Sequence, residues 1–270
     1  MTADASPSLR LERNGSVSVI TFNRPERMNA FGAPELRALR VALMDVAQDA
    51  ECRAVVLTGA GKAFSAGGDV QEMNVWLEKG ELSRQFHDLV GEQERCILEI
   101  VGMAKPVVAA IPGVAAGGGM SMALACDWRI ATPESSMVVA FPALGAVPDG
   151  GMTYFLPHYL GIGAAQEILF GGGRIKAERA RELALVHEIV PADQLPIRAL
   201  ERARELAKGP TRAYGRMKRL LLQAFEGCLE RQLELERVGM VEASRGPEMQ
   251  EGIKAFTQKR PPRFEEISPR

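Results

Sequence analysis

Hydrophobic and polar positions divide the chain into two regimes. Up to about residue 195, short apolar runs bounded by glycine, proline or asparagine alternate with longer stretches of helical period. "VSVITFNRP" (17–25) alternates apolar with polar and ends in Asn-Arg-Pro, which predicts a strand leaving into a loop. "APELRALRVALMDVAQDA" (33–50) carries Leu36, Leu39, Leu43, Val46 and Ala47 at helical spacing behind Pro34, which predicts a helix. "RAVVLTGAG" (53–61) and "KPVVAAIPG" (105–113) read as buried strands. Between them, 71–103 is predicted helical, with Gly80 and Gly91 as breaks. "GGGMSMALACD" (117–127) opens a helix, and "WRIATPESSMVVAF" (128–141) holds two more short strands. Past 195 the strand signals stop. Segments 196–210, 211–225 and 228–245 are amphipathic helical patterns in succession.

Strands alternating with helices over 9–195 indicate an α/β core whose strands are covered on both faces. The helical region 196–270 has apolar stripes that call for packing on the core or on a neighbouring subunit. Residues 1–8, "MTADASPS", lack the basic start and apolar centre of a signal peptide and read as a disordered tail. The uncharged stretch between Lys105 and Asp127 is long enough to span a bilayer, but Pro106, Pro112 and Gly113 interrupt it. A strand, a turn and a buried helix start account for it, so no membrane association is expected.

Composition narrows the classes further. With 270 residues and a formal net charge of −1, nothing attracts nucleic acid or an anionic membrane. Cys52, Cys96, Cys126 and Cys228 lie far apart, with no CxxC and no nearby histidine pair, so neither a zinc site nor a disulfide framework is indicated. Buried thiols in a reducing, cytoplasmic setting fit instead. His87, His158 and His187 form no metal-ligand spacing.

Two glycine-rich elbows and one carboxylate remain. "GKAFSAGGD" (61–69) and "GVAAGGGMSMALACD" (113–127) each follow a strand and precede a helix. Glycine there lets the backbone turn sharply and leaves N–H groups free, so two such loops can aim one donor each at a single oxygen. Tight turns alone would also explain them. Neither loop is a dinucleotide fingerprint or a P-loop. Asp149 stands alone in "FPALGAVPDGGMTY" (141–154), where it either stabilises a Pro-Asp-Gly turn or does chemistry.

Taken together, "NRPERMNAF", "LTGAGKAFSAGGDV", "KPVVAAIPGVAAGGGMSMALACDWRIA", "LGAVPDGGMTYFLPHYLG" and "GIKAFTQKRPPRF" resemble the crotonase (enoyl-CoA hydratase/isomerase) superfamily, in family order over about residues 10–263. The resemblance implies a spiral of repeated ββα units with C-terminal helices that trimerise, as a trimer or a dimer of trimers. It implies an acyl-CoA thioester as substrate, with coenzyme A part of that substrate and no separate cofactor or metal. By position it assigns the oxyanion donors to the amides of Ala66 and Gly118. Backbone around Met28, Ala30, Ala66, Gly68 and Asp69 would line the CoA path, Met73 and Trp76 the acyl pocket, and Lys259 the CoA phosphate.

The hydratases so resembled use two glutamates, and the corresponding positions here are Ser121 and Phe141. The intervening segment aligns without a gap, so Glu134 cannot take the second role. A hydroxyl and a phenyl ring do not replace two acid–base carboxylates. "GAVPDGGMTYFLP" is instead similar to the epoxyphenylacetyl-CoA isomerase group, in which the acid–base residue stands at the position of Asp149. The expectation is an acyl-CoA isomerase working through Asp149. A low-efficiency hydratase and a non-catalytic acyl-CoA binder are the alternatives.

Overall fold

Apolar residues that alternate along the central strands enter two different cores. In the computed structural model, which describes residues 7–267, the Val55 and Leu57 side chains face one hydrophobic cluster while Ala54 and Val56 face the other. The elements in chain order are β1 (Leu9–Asn14), β2 (Val17–Phe22), α1 (Ala33–Gln48), β3 (Ala54–Gly59), β4 (Ala63–Ser65), α2 (Val70–Glu78) and α3 (Leu82–Gly102). There follow β5 (Val107–Ile111), β6 (Val114–Ala116), α4 (Gly118–Ala125), β7 (Trp128–Ala131), β8 (Ser136–Val139), α5 (Met152–Leu160) and α6 (Ile162–Gly171). The last are β9 (Gly173–Lys176), α7 (Ala177–Glu182), β10 (Glu188–Ile189), α8 (Leu195–Ala207), α9 (Thr211–Gln223), α10 (Leu229–Ser244) and α11 (Pro247–Thr257).

A six-stranded sheet has the order β1-β2-β3-β5-β7-β10, and a four-stranded sheet the order β4-β6-β8-β9. Three strand pairs, β3–β4, β5–β6 and β7–β8, each place their first member in the large sheet and their second in the small one, and helices follow each pair. This is the α/β spiral of ββα units. Parallel pairing from β2 to β10 leaves the strands covered on both faces, which is why they read as unbroken apolar runs.

Some elements differ from the sequence reading. Gly80 ends α2 as expected, but α3 runs through Gly91, because the buried stripe of Leu89, Cys96, Ile97 and Ile100 holds the helix against the core. The charged edge strand β1 and the helix α11 were not among the elements expected from the sequence. The first six residues of the expected 1–8 tail lie outside the described residues. The carbonyls of Pro7 and Ser8 accept hydrogen bonds from the Asn23 side chain (2.9 Å) and amide (2.8 Å). Of the cysteines, three are buried and Cys228 is exposed, contrary to the expectation of four buried thiols.

The line drawn near 195 falls just ahead of a helix that completes the core. α8 lays Leu195, Ala199, Ala203 and Ala207 on the large sheet, against Val17, Ala54, Val56, Val108, Ala110 and Ile130. The segment 212–219, inside the helical pattern expected over 211–225, is where α9 is fixed to the spiral. Gly215 abuts Ala104, whose Cα a Cβ at 215 would meet at 2.5 Å. Lys218 Nζ, on a nearly buried side chain, donates to the Asp127 carboxylate (2.8 Å) and the Ile100 carbonyl (2.9 Å). Asp127 Oδ2 also accepts the Val107 amide at 2.8 Å, so one carboxylate joins β5 to α9.

Removing Asp127 would leave the Lys218 ammonium buried without its counter-charge. Asp127→Ala is expected to lower unfolding stability by about 2–4 kcal/mol, discounted because the carboxylate is a quarter exposed. Lys218→Met should cost less, since Asp127 keeps its Val107 partner. Urea midpoints at neutral pH measure both, and an Asp127→Ala midpoint equal to the parent's would refute the assignment.

Candidate active site

The two elbows meet at one end of the spiral. Ser65 Oγ donates to the Asn29 carbonyl (2.8 Å) and accepts the Gly67 amide (3.1 Å), which fixes the turn after β4. Gly67, at φ +84°, lies so close to the other elbow that a Cβ there would meet the Ala116 carbonyl oxygen at 2.7 Å and the Gly118 nitrogen at 3.1 Å. Only glycine satisfies both the dihedral and the approach.

Phe31 forms a single parallel bridge with Gly68. The Phe31 N–H donates to the Gly67 carbonyl (2.9 Å), and the Asp69 N–H donates to the Phe31 carbonyl (3.1 Å). In that pattern the amide of the bridged residue points away from its partner strand. Gly68 lines a cavity of about 740 Å³, and its N–H meets no acceptor among the described residues. Gly118 begins α4 and lines the same cavity, with its amide among the N-terminal donors that a helix leaves unpaired. The free donor of the first elbow is Gly68 and not, as expected, Ala66. Ala66 touches the cavity, but its N–H is committed to the Met28 carbonyl at 2.9 Å.

Asp149 lines the same cavity from the loop 141–151. Its carbonyl accepts the Ser121 hydroxyl (2.8 Å) and the Met152 amide (3.2 Å), and its Oδ1 accepts Gln93 Nε2 at 3.0 Å. Gly150 permits this packing: at φ +57°, a Cβ would stand 2.0 Å from Gln93 Nε2. Burial raises the Asp149 carboxyl above the usual range. The Gln93 hydrogen bond pulls it back and the Glu94 charge pushes it further up.

The remaining predicted residues divide. Met73 and Phe141 line the cavity. Ser121 is fully buried and sits behind the turn, spending its hydroxyl on the Asp149 carbonyl. Trp76 is turned edge-on to Phe86 (ring centroids 6.0 Å), and Phe86 is the member of that pair which lines the wall. Asp69 does not reach the cavity: it caps α2 through the Gln71 amide (3.1 Å) and pairs with Arg27 (2.9 Å) and Arg24 (3.4 Å). Met28 and Ala30 belong to the loop that backs the first elbow, the former half exposed. Lys259 lies exposed at the end of α11, away from the cavity within one chain.

The sequence reading missed Gln93, Glu94 and Phe31. Gln93 was visible in principle, because it occupies the inward stripe of α3 between Leu89 and Cys96, where an uncharged polar side chain is out of place.

A second cavity, of about 480 Å³, lies at the far end of α4 among Trp128, Tyr154, His158 and His187, and shares no lining residue with the first. Several of its titratable groups are engaged within the fold, whereas His158, whose Nδ1 meets the Tyr154 carbonyl, leaves its buried Nε2 without a hydrogen-bond partner among the described residues. His187 stacks on Trp128 and accepts the Arg129 amide (3.0 Å), and burial with the Arg129 charge pushes it down to about 4. The Cys126 thiol beside it is pushed up to about 12 by burial. Among the described residues no group of His, Cys, Asp and Glu is arranged to hold a metal ion, and no helix is long and apolar enough to cross a membrane.

Comparison with known proteins gives this geometry its context. Residues 12–267 match the sequence family described as enoyl-CoA hydratase/isomerase. The chain is 36% identical to the 1,2-epoxyphenylacetyl-CoA isomerase of Escherichia coli K12, over 92% of this chain and 94% of that protein. It is 31% identical to a short-chain-enoyl-CoA hydratase of Clostridium acetobutylicum, over 93% and 94%. Among solved structures, an enoyl-CoA hydratase from Polaromonas sp. JS666 superimposes with a TM-score of 0.88 at 33% identity, covering 94% of this chain and 98% of that one. With a family match over nearly its whole length, relatives above 30% identity and the ββα spiral in place, the chain belongs to the enoyl-CoA hydratase/isomerase family of enzymes, with the crotonase fold.

Proposed function

We propose that the protein is an acyl-CoA isomerase that moves a double bond or rearranges a ring through a thioester enolate. The observation that carries this reading is the single deeply placed carboxylate. Asp149 lines the cavity together with the two elbow glycines, while Ser121 spends its hydroxyl on the Asp149 carbonyl and Phe141 presents a phenyl ring. Hydration needs a water held and activated, conventionally by two acid–base groups, and the two positions expected to supply them carry none.

In this mechanism the thioester oxygen accepts hydrogen bonds from the amides of Gly68 and Gly118. These donors need no rotamer to be frozen, and the α4 N-terminus adds its partial positive charge. Asp149 takes a proton from the α or an allylic carbon: the C–H bond breaks, an O–H bond forms on the carboxylate, and the electron pair passes to the thioester oxygen as an enolate. The same proton returns to a different carbon and the carbonyl re-forms. Atoms and charge balance without a metal or redox cofactor. Phe31, Met73, Phe86 and Phe141 make walls suited to a planar or ring-bearing acyl group. The name of the Escherichia coli relative agrees with that choice. The exposed apolar side chains of α9 to α11, among them Leu221, Phe225, Leu229 and Phe256, suit a homotrimer or dimer of trimers. Such an assembly is also the means by which Lys259 could meet a neighbour's CoA.

Asp149→Asn preserves size and removes the base. Turnover of 3-enoyl-CoA to 2-enoyl-CoA is expected to fall about 10²–10⁴-fold, with thioester affinity retained. Undiminished turnover would reduce Asp149 to a turn residue. A parent protein that yields only 3-hydroxyacyl-CoA from 2-enoyl-CoA would favour the hydratase, with Glu94 at the rim as a second carboxylate.

The rate should also report the raised carboxyl. A base must be ionised, so kcat/KM should be full at neutral pH and decline as pH falls through a midpoint above the ordinary aspartate value. A limb at or below that value would contradict the buried placement.

Calorimetric titration should find acyl-CoA thioesters bound more tightly than CoA or the free acid, and a chelator should leave activity intact. Equal affinity for thioester and free acid would count against the paired amides. Sedimentation equilibrium tests the assembly, and a fully active monomer would remove the cross-subunit role of Lys259.

A further inference from the structure

We infer that Gln93 is a positioning residue that turns Asp149 into a one-sided base: it ties Oδ1 and leaves Oδ2 as the atom that carries the proton. The inference rests on the isomerase reading and adds to it a residue and an atom.

Gln93 is 1% exposed and reaches Asp149 from α3 across 56 residues of sequence. Its position is constrained on two further sides. A Cβ at Gly118 would stand 2.7 Å from Gln93 Oε1, and a Cβ at Gly150 would stand 2.0 Å from Nε2. The side chain therefore fills the space between the start of α4 and the Pro-Asp-Gly turn, where it has no room to swing. Ser121 holds the main-chain carbonyl of Asp149 from α4 at 2.8 Å. The aspartate is thus gripped at its backbone by one helix and at one carboxylate oxygen by another. Its second oxygen has no partner among the described residues, and the residue lines the cavity.

The two ends of an amide differ chemically, and the donor end faces the carboxylate. A donor there requires an acceptor, so the arrangement favours ionised Asp149 in the resting site. An amide also stays neutral across the working pH range. α4 and the loop 141–151 contribute no other ionisable side chain, and among the described residues Glu94 on α3 is the neighbouring charge that acts on Asp149. The sign of a Gln93 substitution follows. Losing the donor destabilises the ionised form and moves the acid limb of kcat/KM to higher pH. A carboxylate in its place adds repulsion and moves it further.

The test compares pH profiles of the parent, Gln93→Leu and Gln93→Glu with a 3-enoyl-CoA substrate. Gln93→Leu should shift the acid-limb midpoint upward by about one pH unit, the worth of one hydrogen bond to the charged form. The plateau kcat should drop about 10-fold, with KM unchanged within about two-fold, since orientation is lost and ground-state binding is not. Gln93→Glu should shift the midpoint at least as far; if the leucine variant fails to fold, this isosteric variant supplies the readout. A midpoint that stays at the parent value, or a loss confined to KM, overturns the inference. The isomerase reading fails separately, through an Asp149→Asn protein that remains active, so the two failures can be told apart.

Discussion

Two stretches of backbone, 65–68 and 116–119, run so close together that side chains are excluded from between them. A Cβ at Gly119 would meet the Ser65 carbonyl oxygen at 2.5 Å, and one at Gly67 would meet that of Ala116 at 2.7 Å. The site depends on this contact. β4 and β6 pair in parallel with a register shift between Ala63 and Ser65, so the chain leaves the small sheet already bent toward the start of α4. Beyond that shift, the bridge with Phe31 leaves the Gly68 amide free while Ala66 stays bound to Met28, and Gly68 lines the same cavity as Gly118 at the start of α4. A bulkier residue at either glycine would separate the elbows and widen the gap that one oxygen must span.

The strands were legible because burial on both faces leaves a mark on composition, and the elbows because glycine must stand where backbones touch. Asp149 was legible as a carboxylate in apolar company. What local pattern cannot convey is which donor is free. Ala66 and Gly68 belong to the same loop, and they differ only because Met28 and Phe31, some 37 residues earlier in each case, take one amide and turn the other outward. Gln93 was obscured for the same reason, since the partner that explains a polar residue on a buried stripe lies on a distant turn. Ser121 was legible only as a hydroxyl where the hydratases carry a glutamate, and that hydroxyl serves the aspartate's backbone. Lys218 gives no local sign of its role, because charge at a helical position ordinarily means solvent. Asp127 and the carbonyls at the end of α3 are what let it lie inward.

That lysine also defines how the C-terminal region relates to the spiral. α8 is part of the core through its small residues, and α9 is held by the Gly215 contact and the Lys218 network. Beyond α9 the character changes. Leu229, Leu233 and Met240 on α10 and Phe256 on α11 stand exposed. The helices that follow thus hang from a firmly attached arm and direct apolar surface outward, an arrangement that costs solubility unless another surface covers it.

The choice of partner for Asp149 decides what kind of carboxylate it can be. An arginine or lysine in place of Gln93 would hold the aspartate ionised, but it would pull the carboxyl down and leave a poor base. An apolar residue would leave it strongly basic and free to rotate, protonated in part at neutral pH and without a defined direction of attack. An amide lies between these limits. It offsets part of the burial penalty, since one hydrogen bond to a charged group recovers less than full desolvation costs, and the carboxyl stays raised on balance. It also commits one oxygen, so the remaining one faces the substrate. In a site with a single inner carboxylate, the same group must both take the proton and give it back. A modestly raised carboxyl held in one orientation meets both demands, because proton removal is not opposed by an over-stabilised anion and proton return is not opposed by an over-stabilised acid.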